Sequence, residues 1–419
     1  MPRASVDRST VAISIVNAGQ QISQSGGIQT MSDNRPASLR RRTLLATAMA
    51  GVASTSLPAI AQDKPKLRLG VALPLTGSQA LFGTDQVRAA QWGAEDINRK
   101  GGVNGQPLEM IVQDTQADPQ TGINAFNHLI GVDKVPVIAV AWSSVVQATA
   151  PVATRDTTLA LSIGASSTKV AHLGDYVYTT YPLANVDVTA LAKYVYNTLG
   201  KRTGAVLYIN NESGLEGGRV FRDVFTQLGG KIVAYEAYDP TATDFTGMLL
   251  KVRVADPEII HIQGLTADTP QVIAQMRQLG MQQRVTSYSA GYNPQLIKQL
   301  GAAAEGFIVT SLAPGPGDNP NVAAFIERWK KEMGRAPNGL PYTQYLYDYP
   351  YIVSSIYAWL AKNSLPVSGE NFRKGLVEIR EFDLPMTGKL VVNPDHTVDK
   401  PVYLLTVKDG AFVPLATIS

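Results

Sequence analysis

The sequence predicts an α/β protein whose parallel sheets are covered by helices on both faces. Two observations carry this. Short apolar runs alternate with amphipathic stretches along most of the chain, the pattern of strand–helix–strand units joined by right-handed crossovers. The runs are too numerous for one open sheet and show no eightfold period, while 419 residues are long for one domain and comfortable for two. Two α/β domains is the economical reading.

Taken in order, LRLGVAL (67–73) is a buried-strand run closed by Pro74 and Gly77. A helix over 84–102 follows, with Val87, Ala90, Ala94 and Ile97 on one face and Gly101-Gly102 ending it. LEMIVQD (108–114) is the second strand. Asp118-Pro119 supply an N-cap and first-turn proline for a helix reaching about Ile130. VPVIAVA (135–141) and TLALSI (158–163) are the third and fourth strands. GAVLYIN (204–210), KIVAYEAY (231–238), EIIHIQ (258–263) and EGFIVTS (305–311) continue the series. Helices fall near 216–228, 243–254, 268–280 and 319–333.

The net charge of +3 is concentrated at the N-terminus, where residues 1–61 hold six arginines against Asp7 and Asp33. Without them the chain is near neutral, which excludes a basic footprint for nucleic acid or anionic membrane. Cysteine is absent, so no disulfide, thiolate metal site or cysteine nucleophile exists. LRRRTLLATAMAGVASTSLPAIAQ (39–62) has an arginine cluster, an alanine-rich apolar stretch and Ala59-Ile60-Ala61. These are the three parts of an export signal. Arg41-Arg42 before Thr-Leu-Leu suggests the twin-arginine route, with cleavage near Ala61 and a periplasmic destination. The true start is Met1 or Met31.

In open α/β sheets, ligands bind outside the carboxyl ends of the strands. That rule singles out PLTGSQALFG (74–83), AWSSVVQATAP (141–151), IGASSTK (163–169), NNESGLEG (210–217), QGLTADTP (263–270) and SYSAGYNP (287–294). Most are rich in Ser, Thr and Gly, and Phe82, Trp142, Tyr288 and Tyr292 add aromatics. Hydroxyls and free N–H groups at helix starts suit a carboxylate; aromatics suit an apolar remainder.

GVALPLTGSQALFGTDQVRAAQWGAEDINRKGGVNGQPLEMIVQDTQADP (70–119) resembles the opening of periplasmic leucine/isoleucine/valine-binding-type proteins, the substrate-binding components of ABC importers. SSVVQATAP, YDPTATDF, AAEGFIVTS and KPVYLLTVKDGAFVPL extend the likeness over residues 66–419. The resemblance implies the two-lobed type I periplasmic binding protein fold, with three hinge crossovers and closure on a ligand between the lobes. The crossover candidates are Pro182, APGPGDNP (313–320) and the Gly388 region. They divide the chain into an N-terminal lobe of 65–182 plus 313–388 and a C-terminal lobe of 183–312 plus 389–419. It implies as partners a small-molecule ligand and an ABC permease and ATPase complex, with a monomeric chain and no cofactor.

Carried over residue by residue, the family's carboxylate grip matches Ser143 and the pair Ala165-Ser166, with Phe82 as an aromatic wall. Ser144 is then expected to cap the following helix, and Trp142 either lines the cleft or packs under it. The family's glutamate for a ligand ammonium matches Ser289 in SYSAGYN, beside Tyr292. A common tyrosine is replaced by Ser213, and the aromatic region after the HIQ strand reads Gly264-Leu265-Thr266, which puts Leu265 at the site. PYTQYLYDYPYIVSSIYAWLAK (341–362) carries six tyrosines, with Tyr342 or Tyr345 the cleft candidates. An ammonium buried without an acid costs several kcal/mol. Either Asp268, Glu212 or Glu216 substitutes, or the ligand is a carboxylate or amide with no α-ammonium. The second is the expectation, with a true branched-chain amino acid binder as the alternative.

An enzyme is not expected. The four histidines are scattered through a helix, a strand and two loops, no HExxH or Gly-x-Ser-x-Gly occurs, and nothing supplies Ser143 with a base. GGVNG (101–105) lacks the Lys-Ser/Thr of a phosphate loop and reads as a helix end. A ligand-sensing module for a membrane receptor is the reading from another class.

Overall fold

Strand β1 (Leu67–Leu73) opens the fold because its last five residues are apolar or small and buried on both faces. Helix α1 (Ala80–Arg99) follows, then β2 (Leu108–Asp114), α2 (Pro119–Gly131), β3 (Val137–Val140), α3 (Ser143–Arg155), β4 (Leu159–Ser162) and β5 (Val177–Thr179). The strands form an all-parallel sheet in the order β2-β1-β3-β4-β5. This computed structural model describes residues 65–418. The export signal read at 1–61 lies outside the described residues.

From β5 the chain crosses to a second sheet. It comprises α4 (Ala184–Lys193), β6 (Thr203–Ile209), α5 (Glu212–Gln227), β7 (Lys231–Tyr238), α6 (Thr246–Ala255), β8 (Ile259–Gln263), α7 (Thr269–Gln278), β9 (Arg284–Ser287), α8 (Pro294–Leu300) and β10 (Ile308–Ser311). The chain returns to the first sheet for α9 (Pro320–Met333), α10 (Leu340–Lys362), α11 (Gly369–Ile379) and the hairpin of β11 (Glu381–Leu384) and β12 (Gly388–Val391). A third crossing delivers β13 (Val402–Lys408) and β14 (Ala411–Ile418). The second sheet reads β14-β13-β10-β9-β8-β6-β7, parallel except for the antiparallel edge of β13 and β14. This is the two-lobed, three-crossover α/β architecture.

Helix α10 packs along α1, and Trp329 of α9 meets Trp92 of α1 edge-on at 4.9 Å. Several tyrosines of α10 are core residues whose hydroxyls reach backbone carbonyls: Tyr349 to Gly70 at 2.9 Å, Tyr357 to Arg68 at 2.6 Å and Tyr345 to Leu312 at 2.6 Å. An aromatic body buried with its hydroxyl satisfied is the stable use of tyrosine in a core.

The structure differs from the sequence reading at several points. The helix expected from 84 starts at Ala80, because Gln79 begins the turn with backbone alone and no side-chain cap. The helix expected near 216 starts at Glu212, where Asn211 caps Gly214 N at 3.0 Å. Strands β5 and β9 were not legible because three or four residues are too short to display a period. Helix α4 was missed because most of its residues are buried, which leaves no polar stripe to contrast with.

Candidate functional site

The carboxyl ends of β1, β3 and β4 face those of β6, β8 and β9, and a cavity lies between them. The first sheet supplies Gln79, Phe82, Gln86, Ala141, Trp142, Ser143, Gly164 and Ser166; the second supplies Ser213, Leu265, Thr266, Tyr288 and Ala290. The N-terminus of α10 closes it with Gly339 and Tyr342.

Ser143 is tied into the wall by its hydroxyl. The Ser143 Oγ accepts hydrogen bonds from the backbone N–H groups of Ser166 at 3.2 Å and Ser167 at 3.1 Å. Both lone pairs are thereby used, and the hydroxyl proton is left to donate toward an acceptor in the cavity. The expectation that Ser144 caps α3 is incorrect. The N-cap is Trp142, at φ 63°, and no side chain bonds to the helix start. Its carbonyl accepts from Val145 N and Val146 N, both at 2.9 Å. The left-handed turn at Trp142 places Ser143 as the first helical residue, facing the loop after β4. Serine therefore works here by bridging two loops, and the positive end of α3 meets the cavity.

Tyr342 forms the facing wall. Its ring leans on Gly164, where an added Cβ would come within 2.8 Å of the ring and where φ is 112°. Glycine is required at that position on both counts. Tyr342 stacks on Tyr181 at 4.9 Å. Burial pushes the Tyr342 phenol up to about 12, so it stays a proton donor.

Phe82, Ser143, Ser166, Ser213, Leu265 and Tyr342 thus meet at one cavity. The other three expected residues are placed differently. Ala165 sits between Gly164 and Ser166, but its methyl packs in the core cluster behind them, so only its backbone adjoins the site. Ser289 is fully buried behind the wall: its Oγ accepts from Tyr181 at 2.6 Å and lies 3.5 Å from the Tyr342 hydroxyl, while its N–H faces Asp187 at 3.4 Å. Tyr292 turns away to meet Phe412 edge-on at 5.0 Å. A single turn at Ser289–Gly291 after β9 rotates these side chains inward and leaves Ala290 at the cavity. Gln79 and Gln86 were not singled out from the sequence. Their signal was available: with Phe82 they fall at helical spacing on the first turns of α1, directly after a strand end.

Among the described residues, no aspartate, glutamate, lysine, arginine or histidine lines the cavity. The three acids considered as substitutes are committed elsewhere. Asp268 accepts from Leu265 N at 2.8 Å and from the Tyr238 hydroxyl, and burial pushes its carboxyl up to about 6. Glu212 accepts from Ser167 Oγ at 2.9 Å and pairs with Lys169 at 3.2 Å. Glu216 accepts from Thr168 Oγ1 at 2.6 Å and pairs with Arg219 at 3.0 Å. The contacts of Glu212 to Ser167 and Lys169, and of Glu216 to Thr168, tie the loop after β4 to α5 across the cleft. Among the described residues, no group of three His, Asp or Glu side chains is arranged to hold a metal.

A cavity between two sheets, lined by hydroxyls, amides and aromatic rings, defines a ligand-capture protein of the two-lobed kind. The chain belongs to the periplasmic binding protein family, whose sequence profile matches residues 66–411. It is similar to an amino acid binding protein of Pseudomonas aeruginosa, 27% identical over 74% of this chain and 82% of that one. Its fold is that of a leucine-binding protein from Thermotoga maritima (TM-score 0.75, 23% identity, 84% of this chain and 98% of that one). A solute-binding protein of an ABC transporter from Rhodopseudomonas palustris, in complex with 3,4-dihydroxybenzoic acid, is comparably close (TM-score 0.74, 21% identity, 84% and 97%).

Proposed function

We propose that this chain is the extracytoplasmic substrate-binding component of an ABC importer, and that it captures a small carboxylate with a planar apolar body and no α-ammonium. The carrying observation is the asymmetry of the cavity. One end offers Ser143, Ser166 and the N-terminus of α3 to an acid group; among the described residues the wall offers no carboxylate to an ammonium. Phe82, Trp142, Tyr288 and Tyr342 supply aromatic surface for the body. The relatives named for amino acids favour the other reading, in which Asp268 would have to leave Tyr238 and turn into the cavity.

The lobes are β1–β5 with α9–β12 and α4–β10 with β13–β14, since β12 pairs with β11 and the third crossing falls after Val391 instead of at Gly388. They close on the ligand by hinge motion, and the closed monomer presents both to the permease. Residues 1–61 direct export, by the twin-arginine route, and are removed near Ala61. A panel of benzoate, short-chain acids, leucine and valine tests the ligand class. At about 100 times the dissociation constant, a true ligand adds about 2.7 kcal/mol of stability. Stabilisation by leucine or valine but by none of the acids refutes the reading.

A further inference from the structure

Gln86 is 4% exposed and lies on the cavity wall, yet its Oε1 is enclosed without a hydrogen-bond partner. Of the buried side-chain polar atoms that lack a partner among the described residues, it is the one that belongs to this wall. Several other polar groups around the cavity are engaged: Ser143 by two N–H groups, Ser213 by Asn211 Oδ1 at 3.1 Å, Tyr342 beside Ser289. A buried carbonyl left unpaired is costly, and a site retains such a group when its ligand completes it. Gln86 accepts and cannot attract a carboxylate through Oε1, so it does not duplicate the Ser143 grip.

Resting on the carboxylate reading above, we infer that Gln86 is a specificity-determining residue that accepts a hydrogen bond from a hydroxyl carried on the ligand body. The ligand is then a hydroxylated carboxylic acid, with its acid group at Ser143 and Ser166 and its hydroxyl at Gln86. Phe82 lies between Gln79 and Gln86 on the same face of α1, so the hydroxyl-bearing edge of a ring meets the amide while a face meets the phenyl. Selection of this kind works because an analogue without the donor leaves the buried acceptor unpaired.

Calorimetric titration of the purified wild-type protein with benzoate, 3-hydroxybenzoate, 4-hydroxybenzoate and 4-fluorobenzoate tests this. At least one hydroxylated acid is expected to bind about tenfold more tightly than benzoate, the scale of one neutral hydrogen bond to a buried group. The fluoro acid, which cannot donate, should gain nothing. Gln86→Met, with Gln86→Leu as the second variant, should erase the hydroxyl preference, so that the hydroxylated acids and benzoate bind each variant with equal affinity. Equal wild-type affinity for benzoate and both hydroxylated acids overturns the inference and leaves the carboxylate reading standing. So does a hydroxyl preference that survives in either folded variant. Binding of leucine with no binding of any acid overturns the carboxylate reading, and the inference falls with it.

Discussion

Replacing Ser143 by alanine removes one oxygen atom and should cost both stability and affinity. Two backbone N–H groups, on the buried residues Ser166 and Ser167, lose their acceptor. An orphaned buried donor costs about 1–3 kcal/mol, partly relieved where water enters the space the hydroxyl vacates. Taking about 2.5 kcal/mol for the pair, and about 2.1 cal/mol/K per residue over the folded chain, the thermal midpoint should drop by about 3 °C. The ligand acid loses a charge-assisted donor as well, a further 1.5–3 kcal/mol or so, which weakens binding by about 10-fold to 150-fold. Differential scanning calorimetry of the unliganded protein reads the first effect and isothermal titration of the liganded one reads the second. Ser144→Ala is the control and should change neither, since Trp142 occupies the cap. An S143A protein with unchanged midpoint and unchanged affinity refutes the role assigned to this residue. A lowered midpoint with unchanged affinity reduces Ser143 to a loop tie.

Three further outcomes follow from the packing and electrostatics. Burial pushes the Asp187 carboxyl up to about 6, with Thr310 Oγ1 donating to it at 2.8 Å. The folded state therefore holds this proton more tightly than the unfolded chain. Its contribution is complete below about pH 4 and lost as pH rises through 6, a change of about 3 kcal/mol. Urea titrations at a series of pH values should show that difference between wild type and Asp187→Asn; a parallel pair of profiles would count against it. Gly93 lies where α1 crosses α10, and an added Cβ would run into the carbonyl of Tyr347. Gly93→Ala should cost about 1–3 kcal/mol by overpacking, read as a lower urea midpoint. Glu212→Ala breaks the tie from α5 to Ser167 and Lys169 without touching the cavity. It should weaken ligand binding by about threefold to tenfold by favouring the open form, with little change in the unfolding midpoint; unchanged affinity would remove the tie from the closure mechanism.

Local patterns carried much of the architecture. The apolar runs at 67–73, 108–114 and 231–238 became β1, β2 and β7 at those bounds. Burial on both faces writes a continuous apolar run into β1, and the half-buried edge strands β2 and β7 keep a shorter apolar stretch that is still readable without a fold. The rule that ligands sit beyond strand carboxyl ends then located the loops of the cavity, and Phe82, Ser143, Ser166, Ser213, Leu265 and Tyr342 meet there. What the residues alone did not reveal was direction. Ser289 and Tyr292 follow a strand end just as Ser143 does, but the turn at Ser289–Gly291 aims them into the interior. The left-handed Trp142 moved the helix cap by two positions.

Alternating short-range hydrophobicity, the lack of cysteine and the near-neutral body were properties of the sequence by itself, and they determined an α/β protein without disulfides and without a basic footprint. Which acids stay out of the cavity was decided only by tertiary structure. Asp268, Glu212 and Glu216 all lie in candidate loops, and each is drawn to a partner: a phenol, a serine hydroxyl with a lysine, and a threonine with an arginine. A carboxylate settles where its hydrogen bonds offset its desolvation. That balance depends on groups distant in the chain, and here it leaves the cavity wall uncharged.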